Sequence, residues 1–293
     1  NNTASSNLGR DPRPYLEINY INQNGIIDTM NYENIDLLKG NLYINNFNGN
    51  ITNIINLNST IKSKLPINIK YVYNSNDIKL DGYKNGWRFN YEQFIEIILI
   101  GNNDYIKYVD ETGKINYLKK GEDNLYTEDS GIYKAKFEED CYIIENKLGV
   151  KFYFQSIDNK YKLKKIINED NLETSITYAD GKISVIKDCG NKEIKFFYNN
   201  NLIKIETEST TTLIYFENNK PIKIQYDNNS FEFSYNSNDL LSNIKGVNNV
   251  FYKLEYYSSL PYRISKIIRT IDNDTINLLE YFYKYNSTLI TNA

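Results

Sequence analysis

The side chains that carry most enzyme chemistry are scarce in this chain. The sequence contains no histidine, which excludes catalytic triads that use imidazole as the base and zinc sites built on imidazole ligands. A zinc site of four thiolates is excluded as well, because Cys141 and Cys189 are the only cysteines. These two could form a disulfide or stay separate buried thiols, so they leave the redox compartment open. No Gly-rich phosphate loop follows any predicted strand.

Carboxylates remain as candidates, because glycoside hydrolysis needs only two of them about 5–10 Å apart. The densest clusters are Glu138-Glu139-Asp140 and Asp110-Glu111. Both lie beside predicted turns, where acidic side chains are usually solvated. The run 272–274 is similar to the start of a calcium loop, but it lacks the required glycine and distal glutamate, so a hairpin turn is predicted there. We therefore predict no catalytic residue, no cofactor and no metal site.

Charge and hydropathy argue against two kinds of partner, nucleic acid and the interior of a membrane. The 293 residues carry a net charge of -3, and no block of basic residues occurs, which argues against binding to nucleic acid. The longest apolar run, Ile97–Ile100, is far too short to span a bilayer. The opening stretch reads as a polar linker cut from something longer, so the missing signal peptide does not bear on export.

The residue types favour an all-β fold. The chain has 28 tyrosines and 13 phenylalanines and uses isoleucine and asparagine heavily; aromatic and β-branched residues favour strands, and asparagine favours turns. Short alternating runs end in Asn or Gly, and the segments 110–114 and 146–149 are predicted hairpin turns. In 159–173, Leu163, Ile166 and Ile167 also have helical spacing, so a short helix stays an alternative there.

A tyrosine-centred pattern recurs about every 20 residues after residue 160, the length of two strands and two tight turns. One unit is therefore one hairpin, and a lone hairpin must pair with its neighbour to be stable. We predict consecutive antiparallel hairpins that form one long curved or spiralling sheet. Five tyrosines are predicted on its packed face: Tyr178, Tyr198, Tyr215, Tyr235 and Tyr256.

The predicted organisation has three parts. Residues 1–40 form a linker with a first strand, for which the alternating run 15–20 is the candidate. Residues 41–158 form a β-region that precedes the repeats, and residues 159–293 form the hairpin repeats themselves.

The repeat resembles that of the Rhs/YD-repeat (rearrangement-hotspot, Tyr-Asp repeat) proteins. The family pattern is visible as Gly181-x-Ile183, Ile186-x-Asp188, Gly190-Asn191 and 196–198 (Phe-Phe-Tyr). The stretch YVYNSNDIKLDGYKNGWRFNY and the hairpins YVDETGK and YTEDSG resemble the segment that leads into such repeats. The similarity runs over about residues 15–285. The Tyr-Asp dipeptide is mostly lost, and the Asp-Pro-x-Gly motif of the family's self-cleavage region is absent.

The resemblance implies a non-catalytic shell segment of a large secreted or cell-surface polypeptide, which encloses or displays a C-terminal, toxin-like domain. Its partners would be other parts of the same polypeptide. Because 293 residues are few for a closed shell, we expect an open curved sheet. The first alternative is a surface adhesion or carbohydrate-binding module, in which Trp87 contacts glycan. The second is a carboxylate-based glycoside hydrolase.

Overall fold

The computed structural model describes residues 24–77, 84–226, 229–259, 263–284 and 287–292, so the predicted strand at 15–20 lies outside the described residues. The all-β prediction is confirmed: within those ranges there are 25 strands and no α-helix. Five strands form a first antiparallel sheet: β1 (Tyr32–Asp36), β2 (Gly40–Asn45), β3 (Ile51–Ser59), β4 (Asn68–Asn74) and β5 (Trp87–Phe89).

The remaining twenty strands form a second sheet. Its first eight are β6 (Phe94–Ile100), β7 (Asn103–Val109), β8 (Ile115–Lys120), β9 (Tyr126–Thr127), β10 (Tyr133–Glu138), β11 (Cys141–Asn146), β12 (Lys151–Ile157) and β13 (Lys160–Ile167). The others are β14 (Glu173–Ala179), β15 (Lys182–Lys187), β16 (Glu193–Asn199), β17 (Leu202–Glu206), β18 (Thr211–Glu217), β19 (Lys220–Tyr226), β20 (Asn229–Tyr235), β21 (Leu241–Lys245), β22 (Phe251–Tyr256), β23 (Ile264–Ile271), β24 (Asp274–Tyr283) and β25 (Thr288–Asn292).

Each strand from β6 to β25 pairs antiparallel with the next along the chain, which confirms the predicted edge-to-edge addition of hairpins. The helical alternative for 159–173 is wrong, because this stretch holds β13 and the turn after it. The predicted three-part division of the chain stays a prediction, which these pairings do not address.

Two kinds of turn recur between the strands. Two-residue turns with positive φ at both positions, such as Asp158-Asn159 and Asn218-Asn219, suit tight hairpins. The other kind is a five-residue loop in which the side-chain oxygen of the first residue accepts hydrogen bonds from the N–H groups two and four residues later, as Asp and Asn do well. This loop recurs with Asp110, Asn146, Asn168, Asp188 and Asn236 in first position.

The two hairpin turns predicted at 110–114 and 146–149 are both loops of the second kind. The fourth loop position has positive φ and is occupied by Gly113 and Gly149 in these two loops. In the other three loops Asn171, Asn191 and Asp239 hold this position with positive φ, so the conformation favours glycine but does not require it. At Gly113 a Cβ would lie only 2.7 Å from Nδ2 of Asn74, so the space there favours glycine as well. The predicted turn at 272–274 is confirmed as well, as a two-residue turn at Asp272-Asn273.

The second sheet closes on itself and then continues. The first residues of β6 pair with β13, Ile95 opposite Tyr161 and Phe94 opposite Lys162. Strands β6 to β13 therefore form a closed ring of eight strands, and β14 to β25 extend from the same β13 as a strip. The expectation of an open sheet is wrong for the ring, because β13 is long enough to pair with two partners along one edge.

The strip packs on the first sheet. Phe196 and Phe233 of the strip contact Phe89 and Trp87, with ring centroids 5.2 and 5.0 Å apart. Side chains of both sheets belong to one continuous hydrophobic core. The inner face of the strip is thus covered by strands of the same chain rather than facing an open space.

One edge of the ring stays open. Beyond Ile95, strand β6 pairs only with β7 among the strands that the structure describes. Apart from Glu96, the side chains along this stretch are apolar, and Leu99 is 67% exposed, with Ile97 and Ile100 also exposed. Such an edge is available for pairing with another strand.

Candidate functional site

The feature that defines this architecture is the point where the sheet branches, at Leu163 in the middle of β13. The N–H and C=O groups of one residue in an antiparallel strand point to the same edge. The Leu163 N–H donates to the Gln93 carbonyl, 3.1 Å away, on the side of β6. The Leu163 carbonyl accepts from the Tyr178 hydroxyl, 2.8 Å away, on the side of β14. Both backbone groups of Leu163 are therefore satisfied although neither β6 nor β14 has a residue paired opposite it on this edge.

A β-bulge at the same place explains why the edge divides. Tyr153 lies opposite Lys165 and Phe154 lies opposite Leu163, so Lys164 is an extra residue in β13. A bulge bends its strand and increases the local twist. The two halves of β13 consequently aim at different neighbours: the half before Leu163 pairs with β6, and the half after it pairs with β14.

The predicted repeat tyrosines share one environment in four of five cases. Tyr178, Tyr198, Tyr235 and Tyr256 are half-buried and pack against the core. Tyr215 does not join that core cluster, and the next residue, Phe216, takes the buried place, being 8% exposed. The alignment of the repeat on Tyr215 therefore needs a correction by one residue.

The sequence did not predict a role for the hydroxyls of these tyrosines, but three of them donate hydrogen bonds to backbone carbonyls. Tyr178, Tyr235 and Tyr256 each lie directly beside a β-bulge, and each donates from its hydroxyl to a carbonyl of the preceding strand at 2.7–2.8 Å. Tyr198 has no bulge beside it, and its buried hydroxyl has no hydrogen-bond partner among the residues that the structure describes. The sequence signal for this role is a tyrosine that recurs once per hairpin while the distance between successive tyrosines varies.

Trp87 lies in the core and not on a rim. It is 2% exposed, and its Nε1 donates to the Tyr235 hydroxyl at 3.0 Å. Its ring packs against Tyr71, Tyr73 and Phe233, with centroids 4.8–5.2 Å apart. The expectation that this ring contacts glycan is wrong for this arrangement, because stacking on a sugar needs an exposed ring face.

A cavity of about 250 Å³ lies beside the branch. Lys162 donates to the Gly181 carbonyl at 2.8 Å and lies over the Tyr178 ring, and Lys182 lies over the Tyr198 ring. The lysines here are thus engaged with the tyrosines of the strip. The cavity is lined by Tyr71, Trp87, Phe89, Glu92, Gln93, Phe94, Lys160, Lys162, Tyr178, Gly181, Lys182, Ile183, Tyr198 and Ile203.

A second cavity, of about 420 Å³, includes residues of the ring and of the loop that begins at Asp110. Asp110 is 9% exposed, and burial raises the pKa of its carboxyl to about 6, although hydrogen bonds from Thr112 and Lys114 oppose the rise. The Tyr108 hydroxyl donates to Oε1 of Gln93 at 2.8 Å. Burial also raises the pKa of Tyr108 well above its usual value.

The other predicted chemistry finds little support in the geometry. Glu139 and Asp140 form the two-residue turn between β10 and β11, and both are exposed. Cys141 and Cys189 are free thiols, so the disulfide alternative is not realised. No cluster of three metal-ligating side chains occurs within the described ranges. Among the same residues, no helix has the length and apolar character needed to cross a membrane.

The fold defines a class of all-β protein in which a strip of hairpins branches from a closed ring. No protein-family model matches the sequence, and no curated protein matches it. Among solved structures, the chain is similar to the crystal structure of TcdB2-TccC3-Cdc42, with 7% identity and a TM-score of 0.24 over 82% of this chain and 20% of that chain. It is also similar to TcdB2-TccC3 without its hypervariable C-terminal region, with 12% identity and a TM-score of 0.26 over 86% of this chain and 12% of that one.

The chain therefore spans a fifth or less of the length of these two solved chains.

Proposed function

We propose that this chain is a non-catalytic β-shell module that forms the closed end of a longer sheet of hairpins. The larger molecule would be a secreted or surface polypeptide of the Rhs/YD-repeat type, as the sequence resemblance implies. The module would hold or display another domain of that polypeptide. The sharing of the β13 edge between β6 and β14 carries the proposal. A sheet that pairs with itself and still continues can seal one end while it grows at the other.

The covered inner face supports a role as an end piece. A sphere of 420 Å³, the volume of the second cavity, has a radius of about 5 Å, whereas a 100-residue domain has a radius of gyration of about 13 Å. Neither cavity described above could hold a folded cargo domain. Display, or enclosure by further hairpins beyond this module, is therefore favoured over enclosure within it.

Growth would occur at β25. Among the described strands, β25 pairs only with β24, so its other edge carries unpaired N–H and C=O groups. Natural sheets cover or pair such edges because they otherwise template aggregation. A following hairpin would pair with β25 as each hairpin of the strip pairs with the one before it.

Hydrogen exchange tests this proposal. The outward-facing amides of β25 (Thr288–Asn292) are measured in the 293-residue chain and in the complete natural polypeptide. We expect those amides to exchange at least tenfold more slowly in the complete polypeptide, because a following strand pairs with them. The amides that β25 shares with β24 serve as the control and should change little. Equal exchange of the outward amides in both samples, or a natural polypeptide that ends at Ala293, would refute the proposal.

A further inference from the structure

The second cavity contains an unusual carboxylate. Oδ1 of Asp110 accepts three hydrogen bonds within its loop, from the Thr112 N–H, the Thr112 hydroxyl and the Lys114 N–H, at 2.8–3.0 Å. Oδ2 accepts none from the described residues and is not among the buried atoms sealed from solvent. Because Asp110 lines the cavity and is 9% exposed, Oδ2 is the oxygen left to face it.

Comparison with the other loops shows that the loop does not need this charge. Asn146, Asn168 and Asn236 occupy the same loop position and make the same pair of backbone hydrogen bonds. An amide would therefore serve at residue 110. The buried carboxylate costs desolvation energy that asparagine would avoid. Asp188, 4% exposed, holds the same position in the fifth loop, but of the two carboxylates only Asp110 lines the cavity.

The surroundings of Asp110 favour a cation. The described lining holds three acids and one base: Asp28 and Glu111 are exposed, whereas Asp110 and Lys114 are each 9% exposed. No ion pair joins Lys114 to an acid within the described residues. With three acids against one base, the lining carries a net negative charge.

Aromatic rings supply the rest of the wall. Tyr91, Tyr133 and Phe152 are half-buried and line the cavity with Tyr108, whose ring centroid lies 5.3 Å from that of Tyr133. Ring faces attract organic ammonium groups, and a carboxylate strengthens the attraction. The volume of about 420 Å³ lies within the usual range of small-molecule sites.

We propose that this cavity binds a small organic ammonium compound, with the positive group against Oδ2 of Asp110 and the rings of Tyr133 and Phe152. The site involves neither β25 nor Leu163 itself, although Gln93 both lines the cavity and accepts from the Leu163 N–H at the branch through its carbonyl.

Two ligands of matched shape test the proposal without any mutation. Choline carries a quaternary ammonium, and 3,3-dimethyl-1-butanol has the same shape with a neutral carbon in place of the nitrogen. Each is titrated into the protein while the backbone amides of Thr112, Gly113 and Lys114 are followed by NMR. We expect saturable shifts with choline and at least tenfold weaker binding of the neutral alcohol. Absence of choline binding, or equal binding of both compounds, would overturn the proposal.

The variant Asp110→Asn provides the second arm. The loop should persist, as it does at Asn146, and circular dichroism verifies the fold. We expect choline to bind at least tenfold more weakly to this variant. Glu111→Gln removes an exposed charge of the same lining and should weaken binding less than Asp110→Asn does. Unchanged binding by Asp110→Asn, or an equal effect of the two variants, would also contradict the assignment.

Discussion

Replacing Tyr178 with phenylalanine removes one oxygen atom at the branch of the sheet, and its effect can be worked out from the contacts there. Without the hydroxyl, the Leu163 carbonyl loses its 2.8 Å partner. Leu163 itself is 0% exposed, and its N–H is already used by Gln93. A buried acceptor left without a partner costs about 1–3 kcal/mol. Because the first cavity beside Tyr178 could admit water, we expect the lower part of that range, about 1–2 kcal/mol.

Tyr198→Phe is a matched control. Tyr198 has a similar half-buried place in the strip, but its buried hydroxyl has no hydrogen-bond partner within the described ranges. Its removal should therefore change the free energy of unfolding by less than about 0.5 kcal/mol, or stabilise the protein slightly. Tyr256→Phe separates the branch from bulges in general. Its hydroxyl donates to the Leu241 carbonyl at 2.7 Å, away from the branch, so we expect a loss similar to that of Tyr178→Phe.

The assay is equilibrium unfolding in guanidinium chloride, followed by the fluorescence of Trp87. This is the only tryptophan and lies in the shared core, so its signal reports on both sheets. Amide exchange at Leu163 adds a local reading, which should accelerate in Tyr178→Phe and stay unchanged in Tyr198→Phe and Tyr256→Phe. The reasoning is refuted if Tyr178→Phe and Tyr198→Phe lower the free energy of unfolding equally, or if the amide exchange rate of Leu163 is the same in Tyr178→Phe as in the wild type.

Three further predictions concern charge and edges. Asp110→Asn should raise the free energy of unfolding at pH 7 by about 1–3 kcal/mol and have little effect near pH 4. The reason is that the folded-state pKa of Asp110 is raised to about 6, so the wild type loses stability as the pH rises from about 4 to 6. Equal urea unfolding curves for the two proteins at pH 7 would contradict this. Burial raises the pKa of Tyr91 to about 12, so stability should fall between about pH 10 and 12, and urea titrations should show a shallower fall in Tyr91→Phe. Leu99→Lys places a charge on the open edge of β6 and should reduce self-association in sedimentation velocity, whereas the same change at the exposed turn residue Leu148 should not.

Local features of this fold were predictable from the sequence, because short-range chemistry decides them. The turns at Asp110 and Asn146 need only an Asx side chain and a glycine three residues later. The hairpin repeat follows from the spacing of tyrosines. The register error at Tyr215 has a local cause too: Phe216 is equally able to fill the core, and the bulge in this hairpin shifts the pairing between Tyr215 and Phe216.

The branch and the covered inner face were not predictable, because both depend on contacts between distant segments. Nothing near Phe94 indicates that it will lie opposite Lys162, since both belong to ordinary alternating strands. The extra residue Lys164 disturbs the alternation of β13, so the apolar residues around it have a spacing that also fits a helix. The rim position expected for Trp87 was wrong for a similar reason: its polar neighbours in sequence suggest a rim, but in space it is covered by Phe233 and Tyr235 of the other sheet.

The covering of the first sheet by the later strip also bears on synthesis at the ribosome. The hydrogen bond from the Trp87 indole to the Tyr235 hydroxyl can form only after a further 148 residues have been synthesised. At a synthesis rate of about 5–20 residues per second, that wait lasts roughly 7–30 s. During this interval the nascent chain presents a sheet with one bare aromatic face, so a chain that has been synthesised only as far as β5 should recruit chaperones far more strongly than the finished molecule.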